Sequence, residues 1–304
     1  MNRTRVMGFL AIICTAVFWG LSFVSIKITL AVIPPMTLAL FRFLIALAIL
    51  FMLLKKWEPE TKIAMRDMPS MALSGVLGVT MYFYFQNHGV KLTTASAASM
   101  IIAAIPIMTV VGESLLFKTK LTLAKIAGVI LSIGGVYLII ASPAEVSPDH
   151  FAGNLFMLGS AVAWVLYSLA TRPLSTKYSQ LAVASYQILF GTIALVPFVF
   201  FETFDWRAID LTIVLHLLYL GCFCSALANY LYVYAMGILG VSSVSLFINL
   251  VPVISVLGGL IILQEPVSAL QIIGGAVILF SVYIANRDIE RTAKTEGKNQ
   301  AATN

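Results

Sequence analysis

Long apolar runs, each close to the length of a membrane crossing and parted by short polar breaks, set the pattern of this chain. A helix needs ~20 apolar residues to cross the hydrocarbon core, because lipid cannot satisfy exposed backbone groups. Ten such helices are predicted, over residues 7–28, 35–54, 70–90, 95–117, 121–141, 154–171, 180–201, 211–235, 241–263 and 267–286. The first run is too long for the apolar region of a cleavable signal and lacks a clear small-x-small exit. It reads as an uncleaved anchor.

Composition narrows the class further. The chain is 60% hydrophobic and 11% charged, with a mean hydropathy of +0.99, whereas a soluble domain carries roughly 25% charged residues. Too few polar side chains exist to cover a water-facing surface, which excludes a soluble globular protein, a disordered chain, a disulfide scaffold and a fibre. The formal charge of +6 would suit nucleic acid if the basic residues clustered. Instead, with the N-terminus inside, fifteen of the nineteen Lys and Arg fall in inner segments. The outer loops hold Lys27, Lys91 and Arg207, and Arg42 alone lies within a span. That asymmetry places both termini in the cytoplasm and turns the net charge into a topology signal. Cys14, Cys222 and Cys224 sit in apolar runs without metal-ligand spacing and read as buried small hydrophobes.

An internal repeat organises the ten spans. Residues 75–137 align without a gap on 221–283 at an offset of 146, with twelve identities in sixty-three positions. Ser99 falls on Ser245, Pro106 on Pro252, Gly128 on Gly274 and Tyr137 on Tyr283; at an offset of 145, Trp19 falls on Trp164 and Lys27 on Arg172. Five spans per half is an odd number, so the second half enters the membrane from the opposite side. Inverted copies of this kind recur in secondary transporters, where two similar halves rock about a central site. The expected domains are a first repeat over 1–142, an outer linker over 143–153, a second repeat over 154–286 and a cytoplasmic tail over 287–304.

Several deep positions stand out. Trp19 and Trp164 lie ~15–18 Å into their spans at a rise of ~1.5 Å per residue, deeper than the interfacial belt where Trp usually anchors. They either pack in the bundle or face a cavity, with Ser22 and Tyr167 as companions. Ser99, Ala103, Pro106, Val110 and Glu113 share one face of the fourth helix; Ser245, Asn249, Pro252, Val256 and Gly259 share the matching face of the ninth. Small and polar stripes serve close helix packing, and they also serve a cavity wall. The bare amide of Asn249 and the mid-span prolines favour the wall, because freed polar groups need a partner or water. Phe83 and Gln86 on the third helix are mirrored by Asn229 and Tyr232 on the eighth. Arg42 and Glu113 are the ionisable groups that read as inside the bilayer, at a cost of ~2.5–3.5 kcal/mol each. Their depths differ by ~16 Å, which argues against a direct pair. Arg42 suits either a structural carbonyl or a substrate carboxylate. Arg42, Pro106, Glu113 and Pro252 form the gating or structural set, and Glu113 could equally reach the inner interface.

These residues resemble the drug/metabolite transporter superfamily, and within it the EamA-type ten-helix permeases. The first half carries Trp19-Gly20, Lys27, Pro34 and Arg42; the second ends with Leu263-Gln264-Glu265-Pro266, Gln271 and Gly274. The likeness covers residues 7–286. One departure is that the first repeat has Lys118-Thr119 where the second has Gln264-Glu265. The resemblance implies a bacterial inner-membrane permease for small organic metabolites, often an exporter, with a cavity lined by helices one, three, four, six, eight and nine. Aromatic and amide groups suit a neutral, zwitterionic or amine-bearing solute, whereas phosphate-rich solutes call for clustered Arg and Lys. The partners expected are a small-molecule substrate and the lipid bilayer, with no nucleic acid and no cofactor. Monomer and homodimer both fit. Proton coupling stays open, since Glu113, His88 and His216 are the titratable groups at hand. A passive channel would want a ring of repeated polar groups, and none is visible. A lipid flippase remains a rival. An enzyme is not expected: His88, His150 and His216 fall in separate segments without HExxH or Gly-x-Ser-x-Gly.

Overall fold

The computed structural model describes residues 3–117, 122–142, 147–239 and 247–284, which are helical throughout apart from short connections. Among the described residues ten helices follow one another. They are α1 (Arg3–Thr29), α2 (Pro35–Trp57), α3 (Met68–Gly75, then π-helical turns over Val76–Met81, then Tyr82–Leu92) and α4 (Ala95–Ile102 and Ile105–Phe117). Next come α5 (Leu123–Ile140), α6 (Pro148–Ser175), α7 (Gln180–Val199) and α8 (Leu211–Leu218, π-helical turns over Tyr219–Leu227, then Ala228–Leu239). The last are α9 (Leu250–Ile262) and α10 (Ala269–Ile284). Eight spans are long and apolar enough to cross a membrane, while α9 and α10 are shorter apolar helices.

Local chemistry sets the boundaries. α2 opens on Pro34-Pro35, whose fixed φ suits a first helical turn. α6 begins six residues earlier than its predicted span, because the Ser147 hydroxyl accepts from the His150 N–H at 3.1 Å and Pro148 follows at the first helical position. Part of the expected linker is therefore helix. Pro106 and Pro252 lack an N–H and crowd the carbonyl four residues back. α4 accordingly breaks at Ala103-Ala104, and the chain turns at Asn249 just before α9. These two breaks sit at matching places in the repeat. So do the wide turns of α3 and α8, since 76–81 maps onto 222–227 at the same offset.

Equivalent helices of the two halves run antiparallel. Glu202, beyond the C-terminal end of α7, reaches the start of α2; Glu265, beyond the C-terminal end of α9, reaches the start of α4. The packing exchanges accordingly: α1 lies against α8 and α9 as α6 lies against α3 and α4, and α2 meets α8 as α7 meets α3. An inverted repeat is the arrangement that makes these contacts reciprocal. α5 and α10 sit at the edge. There Gly135 and Gly274 bring two backbones together, a Cβ on either lying 2.6–2.7 Å from the other's carbonyl oxygen. Their outer faces expose Ile130, Ile133 and Tyr137, and Ile272, Ile273 and Phe280, an apolar surface suited to lipid. Cys224 is buried as expected, Cys222 only partly so, and Cys14, on α1, is exposed.

Polar contacts form clusters at the two ends of the bundle, in addition to those around its middle. At one end Thr93 donates to Asn154 at 2.9 Å, Ser142 meets Ser268, and Glu202 and Glu265 cap their helices. Lys27 binds the carbonyls of Val90, Lys91 and Thr93 there. At the other end Arg172 pairs with Glu113 at 3.5 Å, and Asp67 takes Lys177 at 2.9 Å and Tyr178 at 2.8 Å.

Candidate functional site

A cavity of about 340 Å³ opens between the halves. Of the residues singled out in the sequence, Trp19, Ser22, Arg42, Phe83, Gln86, Ser99, Pro106, Trp164, Tyr167, Asn229, Tyr232, Asn249 and Pro252 all line it. Ser245 lies outside the described residues. Glu113 is not on the wall; it pairs with Arg172 at the bundle end. Along α4, Ser99, Ala103 and Pro106 reach the cavity, whereas Val110 and Glu113, further along towards the bundle end, do not.

Each half supplies the same register. Trp19 is matched by Trp164, Ser22 by Tyr167, Phe83 by Asn229, Gln86 by Tyr232, Ile102 by Ile248, and Pro106 by Pro252. The aromatic wall forms two clusters. Trp19 packs on Tyr232 with centroids 5.5 Å apart, and Trp164 on Tyr82 at 4.9 Å and on Tyr167 at 5.1 Å. Trp19 is fixed by donating Nε1–H to the Cys224 carbonyl at 3.0 Å. That carbonyl lies in the π-helical turns of α8, where the widened ladder releases backbone acceptors. Gly78, in the matching turns of α3, leaves the space that the Tyr167 ring fills. Only part of the run Tyr82-Phe83-Tyr84-Phe85 reaches the cavity, because Tyr84 packs instead on His88, Phe156 and Phe198.

Polar groups on the wall differ in how far they are satisfied. The Asn229 amide donates to the Ser225 carbonyl at 2.7 Å, and the Ser99 hydroxyl to the Ser96 carbonyl at 2.9 Å. Gln86 donates to the Tyr82 hydroxyl at 3.1 Å, yet its buried Oε1 has no partner among the described residues. Arg42 is 6% exposed, donates Nε–H to the Ser225 hydroxyl at 2.7 Å, and lies over the Phe83 ring at 4.6 Å. Sequence reasoning passed over Gln187, Ser225, Cys224 and Tyr82, which also line the cavity. Gln187 was findable, since it lies 145 residues beyond Arg42, the offset that pairs the two Trp residues.

Two inverted five-helix bundles closed around one aromatic cavity, with apolar faces outward to lipid, make a multi-pass membrane transporter of the drug/metabolite type. The chain belongs to the EamA-like transporter family, which matches residues 6–141 and again 151–287. It is 28% identical over 276 residues to an uncharacterized transporter of Archaeoglobus fulgidus, covering 90% of this chain and 96% of that one. A probable terminal-alkyne amino-acid exporter of Streptantibioticus cattleyicolor is 29% identical over 294 residues, covering 95% and 97%. A probable amino-acid metabolite efflux pump of Salmonella typhimurium is 28% identical over 313 residues, covering 97% and 100%. A solved crystal structure shares the fold with a TM-score of 0.65 at 20% identity, covering 95% of this chain and 98% of that one.

Proposed function

We propose that the protein is a secondary transporter that exports a small organic solute of amino-acid or amine type, neutral or zwitterionic, by alternating access. The observation that carries this reading is the cavity itself, built in matched register from both halves and walled by aromatic and amide groups. A hollow of ~300–1,000 Å³ is the size that encloses a small molecule, and halves of equal build can present it to either side by rocking. Export is supported by the names of the two relatives from Streptantibioticus cattleyicolor and Salmonella typhimurium. The reading places the chain in a bacterial inner membrane with both termini cytoplasmic, repeats over 1–142 and 154–286 joined by the outer linker 143–153, and a cytoplasmic tail over 287–304. Among the described residues no carboxylate or histidine lines the cavity, so a coupled proton would bind elsewhere.

Counterflow in proteoliposomes tests the mechanism: preloaded amino acid should drive accumulation of the labelled solute, and uptake without exchange would indicate a channel. Trp19→Ala and Asn249→Ala should each cut transport about tenfold while membrane levels stay near normal. The first removes a wall of the cavity; the second removes an amide with no hydrogen bond among the described residues. Unchanged transport in both would remove the cavity from the mechanism. Orientation has its own test. Asp149→Cys, in a background with Cys14, Cys222 and Cys224 replaced by Ala, should react with an impermeant maleimide added outside the cell. Labelling only from the cytoplasm would reverse the topology.

A further inference from the structure

Arg42 is the single charged side chain on the cavity wall among the described residues. One edge of its guanidinium is used: Nε–H goes to Ser225, and Cζ lies 4.6 Å from the ring centre of Phe83 and 5.5 Å from that of its neighbour Phe43. No carboxylate stands within ion-pair distance of it among the described residues, and its two terminal nitrogens carry no hydrogen bond there. Its counterpart in the other half is occupied quite differently. The Gln187 amide donates to Ser74 at 2.9 Å and Thr171 at 2.8 Å, and accepts from the Tyr167 hydroxyl at 3.3 Å. The two-fold likeness of the cavity is therefore broken at one pair of positions, where one member is a held cation with free donors and the other a satisfied neutral amide.

A buried cation without an anion is costly, and intramembrane cations pair with acids or face a functional path. The rings and Ser225 hold Arg42 in place without neutralising it. Guanidinium suits a carboxylate because its paired N–H groups match two oxygens in one plane. A phosphate monoester would bring about two negative charges against one cation. We infer that the transported solute bears a carboxylate, which docks on the terminal nitrogens of Arg42 while the rest of the molecule lies against the Trp and Tyr walls. The amino group is then dispensable. No acid on the wall demands it, although the unpaired Oε1 of Gln86 offers it an acceptor. This rests on the transporter reading and narrows its substrate class to carboxylates, leaving out amines that lack an acid group.

The test uses the full-length purified protein in detergent and the protein amino acids, each as free acid and as C-terminal amide, together with phenethylamine and 3-phenylpropanoate. Binding is read by thermal shift and tryptophan fluorescence. Each acid that binds should weaken by about 10- to 100-fold on amidation, and 3-phenylpropanoate should bind better than phenethylamine. Arg42→Gln should bring acid and amide to parity, and Arg42→Lys should keep part of the difference. Amides that equal their acids, an acid preference surviving in Arg42→Gln, or no acid binding at all would each overturn the assignment. The wild-type comparison decides by itself if the variants do not fold. Counterflow on the same preparation separates the two readings. Amide binding with intact exchange sinks the carboxylate site alone, whereas acid-selective binding without any exchange sinks the transporter reading alone.

Discussion

Glu265→Ala is expected to destabilise the protein by about 2–4 kcal/mol, read as a lower melting temperature in detergent. One oxygen of the Glu265 carboxylate accepts from the Ala95 N–H at 2.8 Å; the other accepts from the Ser96 N–H at 3.2 Å and the Ser96 hydroxyl at 3.0 Å. These groups open α4, where free N–H groups and the helix dipole favour a negative charge. The site is largely buried, with Glu265 9% exposed, so water cannot replace the lost acceptor. The chain is shaped to deliver this carboxylate. Gln264 takes a left-handed conformation at φ 54°, and the Glu265 N–H turns back to the Gly259 carbonyl at 3.0 Å. Glu265→Gln keeps the shape and one acceptor and should lose about half as much. A melting temperature unchanged in both variants would show that the contact carries no stability.

Gly75→Val should do more damage, leaving little monodisperse protein after extraction from the membrane. A Cβ at Gly75 would overlap the backbone carbonyl of Gln187, and a Cβ at Gly191 would lie 2.6 Å from the Gly75 oxygen. Backbone cannot swing aside as a side-chain tip can, so α3 and α7 would have to part. The Thr80 hydroxyl bond to the Gly191 carbonyl at 2.9 Å would be lost with that seam, and Gln187 would shift on the cavity wall. Gly134→Val is the matched control, since a Cβ there meets nothing within 4 Å. Equal yields of the two variants, judged by size-exclusion of fluorescent fusions, would contradict the packing described.

Helix number and the repeat were legible in the sequence because lipid imposes a length on every apolar run. Which face of each helix looks inward was legible where a deep aromatic, a mid-span proline or a polar group marked it. Arg42, Gln86 and Asn249 gave that signal, whereas Gln187 sat unremarked in an otherwise apolar span although the repeat offset points to it. The stripe from Ser99 to Glu113 assumed an unbroken helix, whereas α4 breaks at Ala103-Ala104, and its lower part lies off the cavity. The carboxylate caps were not legible at all. A capping side chain normally precedes its helix by a residue or two, but Glu202 and Glu265 come from 165 and 170 residues away along the chain. No local pattern signals such a partner.

Those distant caps also make the dependence between the halves unequal. α6, α7 and α8 start on Ser147, Ser179 and Asp210 of their own half. α2 has no side-chain cap nearby and takes Glu202 from across the bundle, whereas α4 has its own cap in Thr94, which accepts from the Ala97 N–H at 3.0 Å, and takes Glu265 in addition. A gene severed between the repeats would thus deprive the leading fragment of two carboxylate acceptors and leave the start of α2 without any side-chain cap.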